Sequence, residues 1–202
     1  MMVAHVPSPI GHVLAGLSVG WLSEPAPQGL RRPDTPVALT PFTLWCAAAA
    51  ALPDADLLVT HFHRSATHSL TATALVLIVA AVVTGKVTRP SRWTFVGALG
   101  LAHATHLLLD WLGTDRFPPP GIQLLWPFSR DFFISHVDLF PPVERRIFRP
   151  EAFRVTAAAA LVELAVLGPL ALAALWVRRR RVRKGSSEFG VSSDTPQETR
   201  RS

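Results

Sequence analysis

The stretch V-T-A-A-A-A-L-V-E-L-A-V-L-G-P-L-A-L-A-A-L-W-V, residues 155–177, runs straight into R-R-R-R-V-R-K, residues 178–184. Its one ionisable residue is Glu163. A helix of about 20 apolar residues crosses a bilayer, and a basic cluster directly after it acts as a stop-transfer signal. A membrane-spanning helix is therefore predicted over 155–177.

Four more apolar stretches lie upstream, at roughly 8–22, 37–53, 69–84 and 93–112. Each is shorter or is interrupted by Pro, Gly or His, so each alone would also fit a buried helix of a soluble protein. Their accumulation, with little charge between them, predicts an all-α, polytopic membrane bundle of about five spans. Trp21, Trp45, Trp93, Trp111 and Trp176 fall at or near segment ends, where indole rings favour the headgroup region. The N-terminus lacks a positive n-region and has two prolines where an apolar core should be, so no cleavable signal peptide is expected. Residues 1–177 read as the membrane-embedded domain. Residues 178–202 read as a basic, disordered tail, because 185–202 are small and polar with neither helical nor strand period.

Composition agrees with this reading. Of 202 residues, 49% are hydrophobic and 17% charged, against roughly 25% charged in an average soluble domain. Disorder over most of the chain is excluded. The one cysteine, Cys46, excludes an intramolecular disulfide framework and a multi-cysteine zinc or iron–sulfur site. It lies in an Ala-rich apolar run and reads as an inert core residue. The net charge of +6 suggests nucleic-acid binding at first sight. However, residues 178–202 hold eight Lys/Arg and three Asp/Glu, which leaves 12 bases and 11 acids for 1–177. The body is nearly neutral. The basic cluster anchors the chain on anionic lipid, so membrane lipids are the expected partners and nucleic acid is not.

Lys and Arg also give an orientation. Arg31 and Arg32, then Lys86, Arg89 and Arg92, then the 178–184 cluster occupy alternate connections, which the positive-inside rule makes cytoplasmic. Arg145, Arg146, Arg149 and Arg154 run against this, but they are mixed with Glu144 and Glu151 in a long connection where the rule is weaker. The tail is then cytoplasmic, and the N-terminus and the 54–68 and 113–154 connections lie outside.

Ionisable residues beside apolar segments are costly and mark function. His12 starts the first segment, Asp54 and Asp56 follow the second, His68 opens the third, and His103, His106 and Asp110 occupy the far half of the fourth. In the orientation above, all lie at the outer end. In L-A-H-A-T-H-L-L-L-D, His106 and Asp110 stand at i,i+4 on one helical face, with His103 joining at i,i−3. An imidazole and a carboxylate so placed can chelate one borderline cation, or one can orient the other. Asp54 and Asp56, after Pro53, suit cation bridging and suit helix N-capping equally. His63 and His68 flank R-S-A-T, and Thr67 or Ser69 would cap the helix that follows. Arg64 fits a phosphate or carboxylate oxygen, or a lipid headgroup. His5 reads as incidental; His61 and His136 are left open. Neutral imidazoles with carboxylates and no thiolate suit Zn²⁺, Mn²⁺ or Fe²⁺ better than Cu(I).

These residues carry a resemblance. P-S-P-I-G-H-V-L-A-G (7–16), L-P-D-A-D (52–56), H-R-S-A-T-H-S-L (63–70), H-x-x-x-D at His106 and Asp110, and L-L-W-P-F-S (124–129) occur in the order found in the LexA-binding, inner-membrane-associated hydrolases, also described as membrane-bound metal-dependent hydrolases. The resemblance implies a bacterial multi-pass inner-membrane protein with a metal-hydrolase site at His12, Asp54, Asp56, His63, His68, His106 and Asp110. The H-x-x-x-D helix is also similar, at fold level only, to the sites of zinc-dependent phospholipase C and P1-type nucleases.

The expected function is hydrolysis of a phosphoester or lipid-like ester by water activated on a divalent metal, zinc foremost. His12, Asp54, His68, His106 and Asp110 are the expected ligands. Asp54 and Asp56 serve as ligands or base, and His63 and Arg64 hold substrate oxygens. The rival reading is a non-enzymatic membrane protein that binds a regulatory partner at its cytoplasmic face. A di-iron oxidase is disfavoured because no two histidines are adjacent.

Overall fold

The computed structural model describes residues 8–25, 38–58, 64–85, 91–115, 118–142 and 150–191. Among them are five helices: α1 (Pro9–Ser23), α2 (Pro41–Ala51), α3 (Leu70–Val83), α4 (Ser91–Leu112) and α5 (Pro150–Val191). A 3-10 segment, Leu52–Leu58, continues α2, and a 3-10 turn, Ala66–His68, precedes α3. The only β-type pairings among the described residues are two isolated bridges, Gly113 with Phe140 and Ile122 with Phe133. The fold is all-helical.

The helix starts follow from local chemistry. Ser8 and Pro9 open α1, the Ser8 side chain accepting the Ile10 N–H. Thr40 and Thr43 form a reciprocal capping box before α2, with Pro41 at its first position. Of the two residues expected to cap α3, Ser69 does so, accepting from Ala72 N at 3.1 Å. Thr67 is engaged elsewhere. At Pro53 the missing N–H ends regular α-helix, and α2 tightens into the 3-10 segment that holds Asp54 and Asp56. Those two carboxylates therefore sit inside a helical segment rather than capping one.

Two helices, within Ser91–Leu112 and Phe153–Gly185, are long and apolar enough to cross a membrane. α1, α2 and α3, with 15, 11 and 14 residues, fall short of the length a full span needs. Five helices occupy the five apolar stretches, but among the described residues only two have span length. Only 22% of the most apolar window of α5 is buried in the protein, and Leu161, Leu170, Leu172 and Trp176 are exposed. In water such a surface would be a large exposed apolar patch; in a bilayer it faces lipid.

α1 is the hub, packing on α2, α4 and α5, and α4 packs in turn on α2 and α3. Small residues allow the closest approach. A Cβ on Gly16 would lie 2.6 Å from the Cys46 carbonyl oxygen and 2.8 Å from the Ala47 Cα, and one on Gly20 would lie 2.8 Å from the Thr43 Cα. Gly16 and Gly20 are one turn apart on the face of α1 that meets α2, the small-xxx-small contact of membrane helices.

The boundary expected at 178 falls inside α5. α5 continues to Val191, and through the basic cluster it does so on Arg and Lys, which are good helix formers. Residues 192–202 lie outside the described residues. Much of the cluster is also engaged: Arg178 is buried and pairs with Glu24 at 2.6 Å, and Arg181 donates to the carbonyl of Leu22 at 2.8 Å. Arg180 lies over the Trp176 ring.

Candidate metal centre

Four elements bring the polar residues together. α1 supplies His12, the 3-10 segment supplies Asp54 and Asp56, the 3-10 turn supplies His68, and α4 supplies His106 and Asp110. His12, His68 and His106 are fully buried. Asp54, with 13% of its side chain exposed, is the most accessible of the group.

The innermost contacts form a triangle. His68 Nε2 stands 3.1 Å from His106 Nε2, and each lies 3.3 Å from Asp110 Oδ2. Asp54 Oδ1 lies 4.0 Å from both nitrogens. His12 stacks on His106 with ring centroids 3.8 Å apart, and its Nε2 is 3.4 Å from Asp110 Oδ1.

The tautomers follow from the partners. A carbonyl oxygen only accepts, so the 2.7 Å contact from His106 Nδ1 to the Ala50 oxygen places the proton on Nδ1. That carbonyl is available for a local reason: in an i→i+3 register its partner would be residue 53, a proline without N–H. His68 Nδ1 lies 3.2 Å from Asp56 Oδ2 and 3.0 Å from Thr67 Oγ1, and Thr67 donates its own hydroxyl proton to that carboxylate. In a neutral imidazole held this way Nε2 carries the lone pair, and here both Nε2 atoms face each other and Asp110.

This arrangement fits a cation. Two Nε2 atoms and a carboxylate oxygen converge, and one proton could relieve only one edge of the triangle. Among the described residues, neither nitrogen of His12 and neither oxygen of Asp110 has a hydrogen-bond partner, though all four are buried. Such groups are expensive unless something binds them. Ligand atoms about 2.0–2.1 Å from a tetrahedral Zn²⁺ stand roughly 3.3 Å apart, close to the edges seen here.

The remaining expected residues are placed differently. Asp56 is turned to His68 Nδ1 and Thr67, so it orients a histidine instead of joining the triangle. His103, expected on the same face, has its Nδ1 2.9 Å from Thr73 Oγ1 and belongs to neither group of converging ligand atoms. Arg64 is buried and pairs with Asp115, which also accepts from Gly121 N. This gives its guanidinium a structural use that the sequence did not indicate. Its backbone, at φ 64°, is in the left-handed region and is tied by Gln123 N to the Arg64 carbonyl. His136 is exposed on the 118–142 segment. His5, His61 and His63 lie outside the described residues.

Sequence reasoning missed the support of α1. The carboxylate of Glu163 accepts from Ser8 N, Ser8 Oγ and Gly11 N, fixing the first turn of α1 beside His12. The lone acid in an apolar span was visible. Its partners, more than 150 residues away, were not.

The family model that matches this chain covers residues 8–182 and is described as YdjM inner membrane protein. The chain belongs to the YdjM inner membrane protein family. The matched region of this family member begins at the cap of α1 and ends in the basic turn of α5, so it takes in every element of the His/Asp cluster. An inner-membrane family was expected from the motifs; hydrolysis and LexA binding are no part of the family description. No curated protein and no solved structure matches the chain.

Proposed function

We propose that this protein is a membrane-embedded, metal-dependent hydrolase whose His68–His106–Asp110 triangle binds a divalent cation. The observation that carries the reading is the convergence of two Nε2 atoms and a carboxylate oxygen within 3.1–3.3 Å, with both Nδ1 atoms committed elsewhere. The donor set of imidazole and carboxylate favours Zn²⁺, with Mn²⁺ or Fe²⁺ as alternatives. When bound, such a cation supplies Lewis acidity and lowers the pKa of a water it holds.

The chain's own residues do the rest. Ala50 and Asp56 hold the two rings in the tautomer that presents Nε2. Asp54, the most exposed of the cluster, marks the side from which water and an ester oxygen arrive. His63 and Arg64 remain proposals for substrate contacts; in Arg64 the Asp115 pair supports a positioning role. The substrate proposed is a phosphoester or a lipid-like ester, supported by a site carried on helices with an apolar, lipid-facing exterior.

The multi-pass arrangement is part of the same proposal. α4 and α5 span, and α1, α2 and α3 complete the bundle as shorter apolar helices. The Arg178–Lys184 cluster sets the cytoplasmic side, with the metal centre toward the opposite face.

The test is hydrolysis by detergent-purified protein, stripped with a chelator and reloaded with Zn²⁺, against a chromogenic phosphodiester and phospholipid vesicles. Cleavage that requires metal and disappears in His68→Ala and Asp110→Ala, with membrane insertion intact, is expected. Protein that never retains metal, with both variants like wild type, would overturn the proposal.

A further inference from the structure

The two carboxylates at the centre of the cluster are each shared between the same two sets of imidazoles. Asp110 turns Oδ2 to His68 and His106, at 3.3 Å from each Nε2, and Oδ1 to His12 Nε2 at 3.4 Å. Asp54 repeats the division at longer range: Oδ1 is 4.0 Å from His68 and His106, and Oδ2 is 4.0 Å from His12. A carboxylate serving a single cation has no need to aim its second oxygen at another imidazole. Two carboxylates divided the same way match the bridging arrangement of two-metal sites.

His12 is the independent observation. It is fully buried, it stacks on His106 without sharing a hydrogen bond with it, and neither ring nitrogen has a hydrogen-bond partner among the described residues. The two groups of converging ligand atoms, His12–Asp54–His106 and His68–His106–Asp110, overlap at His106. One Nε2 lone pair serves one cation, and the 3.1 and 3.3 Å contacts assign it to the set with His68.

We propose that the cluster holds two divalent cations side by side, bridged by Asp54 and Asp110. His68 Nε2, His106 Nε2, Asp110 Oδ2 and Asp54 Oδ1 form the first position. His12 Nε2, Asp110 Oδ1 and Asp54 Oδ2 form the second. The first has four protein atoms, two of them from the carboxylates shared with the second; the second has three and leaves more room for water or a substrate oxygen. This rests on reading the cluster as a metal centre, and it narrows the substrate to a phosphoester, whose attacking and leaving oxygens a cation pair stabilises together.

The test counts metal. Full-length protein in detergent is stripped with a chelator, loaded with Zn²⁺, desalted and assayed by elemental analysis. Two zinc ions per chain are expected in wild type and one in His12→Ala. One ion per chain in both proteins overturns the second cation and leaves the metal centre standing, whereas none in either overturns both. Because His12→Ala removes a buried ring and could misfold, a second measurement uses wild type alone. Titration with Mn²⁺ followed by electron paramagnetic resonance should give an isolated six-line signal at the first equivalent and an exchange-coupled spectrum at the second. An uncoupled six-line signal that grows through both equivalents overturns the proposal.

Discussion

Glu163 in α5 accepts the backbone N–H of Gly11 at 2.9 Å, one residue before His12. The same carboxylate takes the N–H and hydroxyl of Ser8. At the other end of α1, Glu24 pairs with Arg178, and Arg181 reaches the carbonyls of Trp21 and Leu22. The two helices therefore run in the same direction. Glu163 and Arg178 are 15 positions apart on α5, which matches the 15 residues of α1, about 22 Å of helix. α5 thus places a carboxylate at the positive end of the α1 dipole and arginines at its negative end.

Replacing Glu163 by Leu strands three donors in an apolar setting, each costing about 1–3 kcal/mol. Gln keeps an acceptor oxygen and should lose less. Thermal unfolding in detergent is expected to rank wild type above Glu163→Gln and Glu163→Gln above Glu163→Leu, with zinc retention falling in the same order through His12. Equal stability of the three proteins would refute the clamp.

Gly16 and Gly97 provide a matched pair. A Cβ on Gly16 meets backbone atoms of Cys46 and Ala47, so α1 and α2 must separate, at a cost of about 1–3 kcal/mol. A Cβ on Gly97 meets nothing within 4 Å, and Ala there should be neutral or stabilise by up to about 1 kcal/mol through helix propensity. Melting temperatures of Gly16→Ala and Gly97→Ala should move in opposite directions, or only the first should move.

Asp56 and Asp54 should separate affinity from stoichiometry. Asp56→Ala removes the partner of His68 Nδ1 and should weaken zinc binding about 10–100-fold without changing the number of ions bound at saturation. Asp54→Ala should lower that number. Competition titrations against a chromophoric chelator measure both quantities.

The Arg178–Glu24 pair should show real coupling, because the arginine side chain is only 3% exposed and the glutamate 19%. A double-mutant cycle of Arg178→Ala and Glu24→Ala is expected to give an interaction of about 1–3 kcal/mol by unfolding in detergent. A value near zero would make the pair a solvated surface contact.

Removing metal should destabilise the fold. Ligand bound only to the native state adds stability that grows with its concentration. A chelator should therefore lower the melting temperature, and added Zn²⁺ should restore it in wild type but not in His68→Ala.

The amino-acid order alone determined the helical class, the long apolar span ending in Arg178–Lys184, and the His and Asp residues that meet at one place. These features depend on composition and local period: an apolar run long enough for a bilayer, and His106 and Asp110 held together by one helical turn. Tertiary structure alone decided how those residues divide the work. Asp54 faces the Nε2 atoms of His68 and His106 while Asp56 faces His68 Nδ1, although only one residue separates them, because the 3-10 segment turns them to different neighbours. Arg64 is taken by Asp115, His103 by Thr73, and Glu163 by the amides of α1. The basic cluster, read from composition as the start of a disordered tail, continues α5 and locks α1 in place. Each of these outcomes depends on a partner far away in the chain, and sequence spacing carries no record of which distant donor meets which acceptor.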